Sequence, residues 1–600
     1  MRVNPEPTAT GARPPGFPAD RRRVLGLLLS SVAAVAAGFL LVSPAMAERL
    51  IVQGYYHVLA LTGLGLLLAA RVVAARFRGS PPPAGWVWGL VLAAACGAFA
   101  AASDEFRHKI LFDEYVIQGT AWQMHAAKEV GVPLRAYEIA GTWTAIDTSL
   151  DKRPYLFPFL VSLLHDLTGY RQANAFVLNA VLAGACLALT GWIALAVTRR
   201  RAAAALAMVL LATVPLFGQN ASGAGIEMIN LALIAAVAAA GILCLRTPRD
   251  PDRLSLLAVG AVLLAHCRYE SILFAGPVAA IILTAWWRAG RLLLPWPVIV
   301  TPLLLVPFAW HSRVVGAKPK LWELREGEQS RFAWDNVAGN LEGAWEFLRS
   351  VSPQQPGSLA LVLLGAAGAA AAVAAILRGR RIAASPGATA VAWIGLGVAG
   401  HFVLLLFYYW ARFDEPVSAR FALPSLMLLA WAAAAGVRLL GERGWPAARA
   451  AWVLWALWLA AVAGPAYANR LYTVRNLVSQ EVEWEIGQVR ARTGPVLVIT
   501  SKSTLPHLLG RTPAIELAVA RRRGPEIAWH LARGTFREVV VSQVVRPTSA
   551  EGEMAIDPED ILPAGFRLEE LERKRFGTRW LRLSRLVAVE TASAEPRPAD

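Results

Sequence analysis

The chain has 600 residues, 56% of them hydrophobic, and a mean hydropathy of +0.46, which excludes an ordinary soluble domain. Long apolar runs with few internal charges indicate membrane-embedded helices. The net charge of +17 does not indicate nucleic-acid binding, because the arginines cluster in short loops between apolar runs, the positive-inside pattern.

Residues 1–20 are Pro-rich and polar and read as a disordered cytoplasmic tail. Arg21-Arg22-Arg23 precedes an apolar run over about 24–42. Ala45-Met46-Ala47 has the form of a signal-peptidase site, but the run is long for a signal peptide and favours an uncleaved helix. A second helix over about 51–70 ends in Arg71, Arg76 and Arg78, so 21–80 holds two amino-terminal spans. A third helix, about 86–102, leads to an outside loop over 103–154. The next apolar run ends at Arg199-Arg200-Arg201. Helices follow over about 202–217 and 226–245. The run 254–287 is broken by "HCRYES" into two helices or half-helices. A helix over about 292–310 leads to a second outside loop, 311–356. Four more helices follow, over about 357–377, 388–410, 418–437 and 447–464.

Every Arg-rich short loop then falls on one side, including Arg378, Arg380, Arg381, Arg438, Arg443 and Arg449. The pattern predicts about thirteen spans of ~20 residues. Residues 471–600 are charged, with strand-like "PVLVIT" and "REVVVSQVV" between helical stretches and a disordered end. The fold class is an all-α polytopic membrane protein with a small carboxyl-terminal α/β soluble domain on the outside. The four cysteines lie in apolar runs without a CxxC, and the nine histidines show no HxH or HExxH spacing. No cofactor is indicated and a divalent metal is unsupported. Asp250-Pro251-Asp252 has DxD spacing but reads as a solvated inside loop.

Acidic and basic groups from distant parts of the chain gather on the outside face. They are Asp113-Glu114 in "ILFDEYVIQGTAWQMHAA", Asp414 in "FYYWARFDEPVSARFALP", Glu227, Arg268 and Glu270. Each carboxylate taken singly is equally well a solvated loop residue. Their convergence points to function, because an ionisable group at membrane depth is costly without a partner or a task.

An apolar helix, then "DE" with a downstream Tyr and "AWQM", then "KRPYLFPFLVSLLHDLTGYRQANAFVLNAVL" resembles the integral-membrane C-type (GT-C) glycosyltransferases. Within them it resembles the protein mannosyltransferase and lipid A aminoarabinose transferase group. Lys152-Arg153-Pro154-Tyr155 and Thr168-Gly169-Tyr170 stand for that group's Lys-Pro-Pro-like segment and small turn. Arg420, Phe421 and Pro424 stand for its Arg-Tyr-x-x-Pro helix start. The resemblance spans about 86–470. Arg153 replaces a common proline, Glu227 a common Asp, and "HCRYES" a Lys-containing segment; no WWD signature is present.

The resemblance implies a polyprenyl-phosphate-linked sugar donor and a protein, lipid or glycan acceptor, at the outer face of the cytoplasmic membrane. It implies Asp113 as general base, its pKa raised at a low-dielectric interface, with Glu114 beside it bonded to the loop or the acceptor. Arg268, Arg412 and Arg420, with Lys152 or Arg153, are the implied donor-phosphate ligands. Tyr115, Glu227, Glu270 and Asp414 complete the site on the acceptor side. The loop 311–356, with Lys318, Lys320, Trp322, Trp334 and Trp345, forms a partial lid or an interfacial anchor. A lipid-linked substrate transporter or flippase, or a polysaccharide polymerase or ligase, is the alternative reading.

Overall fold

The computed structural model describes residues 20–78, 85–318, 324, 330–351, 357–378, 385–441, 446–469, 477–548 and 554–590. The expected tail, the disordered end and Lys320, Trp322, Arg380, Arg381 and Arg443 lie outside them. Among the described residues ten helices are long and apolar enough to cross a membrane. The count is eleven if Arg201–Ala212 and Pro215–Ala221, bent by 72°, form one span. The expected thirteen is not reached by this measure. Trp86–Ala102 has 17 residues and Pro251–Ala265 has 15, so they run about 25 Å and about 22 Å against a hydrocarbon core of about 30 Å.

Glu227–Arg246 is the central helix, largely buried among its neighbours. Its apolar residues, such as Met228, Ile234 and Ile242, sit in one continuous core with Leu187, Leu206, Phe274 and Met427. Small residues set the closest approaches: Gly368 on Leu359–Leu377 abuts the backbone at Ala432 on Leu423–Gly441, leaving no space for a Cβ. The amino-terminal helix Arg21–Val35 ends in a π-turn, Ala36–Leu40. The carbonyls of Ala37 and Gly38 there accept from Trp310 Nε1 at 2.8 Å and Arg313 Nη1 at 2.6 Å. A Lys318–Glu48 ion pair at 2.6 Å fastens the same contact.

The expected outside loop 103–154 is mostly regular structure. It holds the helix Leu111–Ala127 and an antiparallel hairpin of β1 (Val132–Ile139) and β2 (Thr142–Ser149). Likewise 311–356 contains the end of the helix Val306–Gly316 and the helix Asn336–Arg349. Asn340 Nδ2 donates to the carbonyls of Leu406 at 3.0 Å and Tyr408 at 2.9 Å, capping Pro386–Phe407.

The carboxyl-terminal part is a mixed sheet flanked by the helix Leu477–Arg490 and three shorter ones. The strands run in the order β4 (Ala514–Glu516), β3 (Val496–Thr500), β5 (Glu538–Pro547), β8 (Arg579–Val589), β7 (Phe566–Phe576). The short β6 (Met554–Ile556) pairs with β5. β3 and β5 are the two sequence-predicted strands and pair in parallel. Val498, Val540 and Leu583 form its inner core.

Most of this core comes from 477–590, with Ala136 and Trp143 of the hairpin packed against it, and that segment is expected to express as a folded unit. Leu583→Ala, at a fully buried site, is expected to lower its stability by about 2–5 kcal/mol. Urea denaturation followed by circular dichroism measures it; a loss below about 0.5 kcal/mol would place Leu583 outside the core.

Candidate active site at the helix starts

The first turn of Leu111–Ala127 carries both acids. Carboxylates favour that position because the unpaired N–H groups of a helix start give it positive potential. Successive helical residues point about 100° apart, so the two side chains separate. Asp113 reaches outward to Arg153, in the turn after β2, and to Arg420 Nη2 at 2.5 Å. Arg153 Nη1 also donates to Asp151 at 2.7 Å.

Arg420 lies in the short turn Ala419–Ala422 that starts Leu423–Gly441. Its Nη1 is 3.2 Å from Glu227, at the first turn of the central helix. Arg268 is 3.1 Å from Glu227 and 2.6 Å from Glu270. The Arg268 and Arg420 guanidinium groups lie 5.0 and 5.3 Å from the Phe421 ring, at cation–π distance. One chain of ion pairs therefore links Asp151, Arg153, Asp113, Arg420, Glu227, Arg268 and Glu270.

Asp113 is the most exposed member of that chain, its side chain 25% exposed, against 11% for Arg420 and 3% for Glu227. Around Glu227 a cavity of about 10 Å³ is lined by Glu227, Arg268, His401 and Arg420, the room of one water. Glu227 Oε2 and Arg420 Nε are buried with no hydrogen-bond partner.

The raised pKa expected for Asp113 is not found. Burial alone would raise it, but the guanidinium groups of Arg153 and Arg420 outweigh burial and hold it well below the usual carboxylate range. In this state Asp113 is an ionised, weak base.

Glu114 turns inward. Its Oε2 accepts from the backbone N–H of Lys109 at 2.5 Å and of Ile110 at 3.3 Å, and its Oε1 from Ala224 N–H at 2.9 Å. It thus ties the turn before the central helix to the start of the acidic helix. The contact needs glycine: a Cβ at Gly223 would come within 2.8 Å of Glu114 Oε1. Burial pushes Glu114 up to about 7, against the opposing pull of the three N–H donors.

Of the sequence-predicted residues, Asp113, Arg153, Glu227, Arg268, Glu270 and Arg420 are brought together. Lys152 is half-buried next to Arg153. Arg412 pairs with Asp414 of its own turn at 2.7 Å, with 40% of its side chain exposed. Tyr115 is buried and stacks on His108 at 3.9 Å between ring centres. It packs with Trp122, Val482 and Leu509 where the carboxyl-terminal domain meets the acidic helix. Asp104 pairs with Lys109 at 2.7 Å. Asp250 caps its helix, accepting from Asp252 N–H at 3.0 Å. Among the described residues no group of three or more His, Cys, Asp or Glu could hold a metal ion.

Sequence reasoning missed two members. Asp151 had a local signal, because it stands two residues before Arg153. His401, 3.9 Å from Glu270, had none, being one histidine in an apolar helix.

The chain's fold is that of solved membrane proteins. The apo crystal structure of ArnT from Cupriavidus metallidurans aligns at a TM-score of 0.52 and 15% identity, over 84% of this chain and 98% of that one. ArnT bound to undecaprenyl phosphate aligns at 0.49 over the same shares. The archaeal oligosaccharyltransferase AglB from Archaeoglobus fulgidus, in complex with an inhibitory peptide and a dolichol-phosphate, aligns at 0.43 and 11% identity, over 80% of this chain and 75% of that one. No family model matches the chain, and no curated protein sequence matches it.

The Glu114 clip gives a pH signature. A carboxylate whose folded-state pKa exceeds its unfolded value of about 4.5 contributes most below that value and loses its contribution as pH rises to about 7. The melting temperature of the protein, measured against Glu114→Gln, is therefore expected to fall between pH 4.5 and 7 and to level above it. A difference independent of pH would contradict the raised value.

Proposed function

We propose that the protein is a membrane glycosyltransferase that moves a sugar from a polyprenyl-phosphate-linked donor to a protein, lipid or glycan acceptor at the outer face of the cytoplasmic membrane. The observation that carries this reading is Asp113, a carboxylate held between two arginines and the most exposed member of a largely buried ion-pair chain. The fold shared with ArnT, a lipid A aminoarabinose transferase, supports the same class.

Transfer requires a cationic seat for the phosphate that leaves and a base for the acceptor. Arg153 and Arg420 supply the seat, with Arg268 behind them. A phosphodiester carries one negative charge, and the phosphate monoester that leaves gains a second. Cations fixed before the reaction stabilise that developing charge most where charge grows most. The acceptor hydroxyl or amine attacks the anomeric carbon, the bond from that carbon to the phosphate oxygen breaks, and the acceptor proton passes to Asp113.

The resting ion pairs give this order of events a physical reason. While Arg153 and Arg420 hold Asp113, its basicity is suppressed. A donor phosphate competes for the same guanidinium groups, whose planar forks suit its oxygens. Each contact it takes relieves Asp113 and returns its pKa toward the ordinary range. The base is thus strengthened when the donor is in place.

Glu114 fixes the helix start and does not touch the reacting atoms. Arg412, paired with Asp414 at 2.7 Å, is left to its own loop in this reading.

Asp113→Asn keeps shape and removes basicity. It is expected to lower turnover at least about 10²-fold with membrane expression retained, while Asp104→Asn has a small effect. Arg420→Lys keeps charge but loses the fork, and is expected to raise the donor KM. Steady-state kinetics of purified variants with a polyprenyl-phosphate sugar decide both. Near-normal turnover of Asp113→Asn removes the proposed base; unchanged donor kinetics remove Arg420 from the seat.

A further inference from the structure

A second site lies on the carboxyl-terminal domain, away from the ion-pair chain. The helix Leu477–Arg490 and the end of β7, with Gly577 of the turn that follows it, line a groove of about 560 Å³. Its helix wall includes Leu477, Glu483 and Trp484; its strand wall includes Lys574, Arg575 and Phe576. Trp484 and Phe576 meet edge to face, 6.0 Å between ring centres, and make an apolar floor.

The charges on the groove are unbalanced. Glu483 is engaged by Arg107 at 2.7 Å. Neighbouring cations have acidic partners: Arg573 is 3.5 Å from Glu570 and Arg579 is 2.7 Å from Glu481. Among the described residues Lys574 and Arg575 have no acidic partner. Arg575 Nε donates to the Gly577 carbonyl at 3.0 Å, and Lys574 Nζ lies 5.5 Å from the centre of the Phe576 ring. Two uncompensated cations therefore stand over an apolar floor.

The groove also lies beside the end of an apolar helix. Ser479 Oγ donates to the His108 carbonyl at 3.5 Å, and Arg107 reaches Glu483. Both partners belong to the short stretch between the end of the apolar helix Trp86–Ala102 and the acidic helix. The helix wall of the groove is thus held against the end of that apolar helix.

We propose that this groove binds the headgroup of an anionic membrane lipid. The lipid phosphate pairs with Lys574 and Arg575, and its glycerol and upper acyl carbons cover Trp484 and Leu477. Charge selects the ligand: a zwitterionic headgroup brings a cation toward a face that already carries an excess of them. Proximity to the bilayer selects a lipid over a soluble anion, because the lipid arrives already concentrated in two dimensions. The site needs no sugar donor, so its test is independent of the proposed transfer reaction.

The full chain is placed in nanodiscs of equal phosphatidylglycerol and phosphatidylcholine, and retained lipid is counted by native mass spectrometry after mild delipidation. The wild type is expected to retain phosphatidylglycerol in preference to phosphatidylcholine. A basic residue at an anionic surface contributes about a five-fold preference, so Lys574→Glu with Arg575→Glu is expected to lose the preference at least about ten-fold. Arg533→Glu with Arg567→Glu makes the same charge change at exposed positions elsewhere on the domain and is expected to keep it. Equal retention by both double variants would mean bulk attraction or lipid held elsewhere, and would overturn the proposal. Displacement of the lipid by inorganic phosphate at millimolar concentration would also overturn it, in favour of a soluble anion.

Discussion

Asp113 shared between Arg153 and Arg420 is the constraint on which the rest of the outer face depends. Three segments far apart in the chain meet at that one carboxylate: the acidic helix, the turn after the hairpin, and the start of a late membrane helix. Two guanidinium groups this close repel one another and are costly to bury without an anion. The carboxylate neutralises them, and they in turn keep it ionised despite its burial. Remove it and Arg153 retains Asp151, while Arg420 retains Glu227. The chain of pairs would survive in two pieces, without the link that joins the hairpin turn to the bundle.

A second anchor works at right angles to the first. Glu114 collects three backbone N–H groups, two from its own entry turn and one from the turn before the central helix. Adjacent residues on one helical turn thus do separate jobs, Asp113 facing solvent and Glu114 facing backbone. On its far side the acidic helix is covered by the carboxyl-terminal domain. Trp122 packs against it there, Gly119 approaches Leu505, and Tyr170 donates to the Leu509 carbonyl at 3.1 Å. The position of Asp113 is thus set jointly by the bundle below and the soluble domain above. This explains in packing terms why a soluble domain is held so closely against a membrane helix bundle.

Much of the architecture was legible because its causes are local. Apolar run length marks a span wherever about twenty residues must cover the hydrocarbon, and β-branched runs such as "PVLVIT" mark buried strands whatever lies beside them. The same reading gives about thirteen spans where a length criterion counts ten or eleven among the described residues, because helices such as Trp86–Ala102 are short. It also took Leu111–Ala127 for loop, because a helix that packs on a domain above and a bundle below shows no clean apolar stripe. The resemblance to the GT-C enzymes pointed to the correct fold, through residues such as Arg420 and Pro424 that mark a helix start.

The amino-acid sequence by itself determined which charges stand at helix ends, and hence that Asp113, Arg153, Glu227, Arg268, Glu270 and Arg420 gather on one face. Only the tertiary structure decided their partners. Whether a carboxylate at an interface is raised or lowered in pKa depends on which cations come within a few ångströms, and for Asp113 these stand 40 and 307 positions away. No local pattern encodes such a distance. The same dependence turned Glu114 to the backbone N–H of Ala224, 110 positions away.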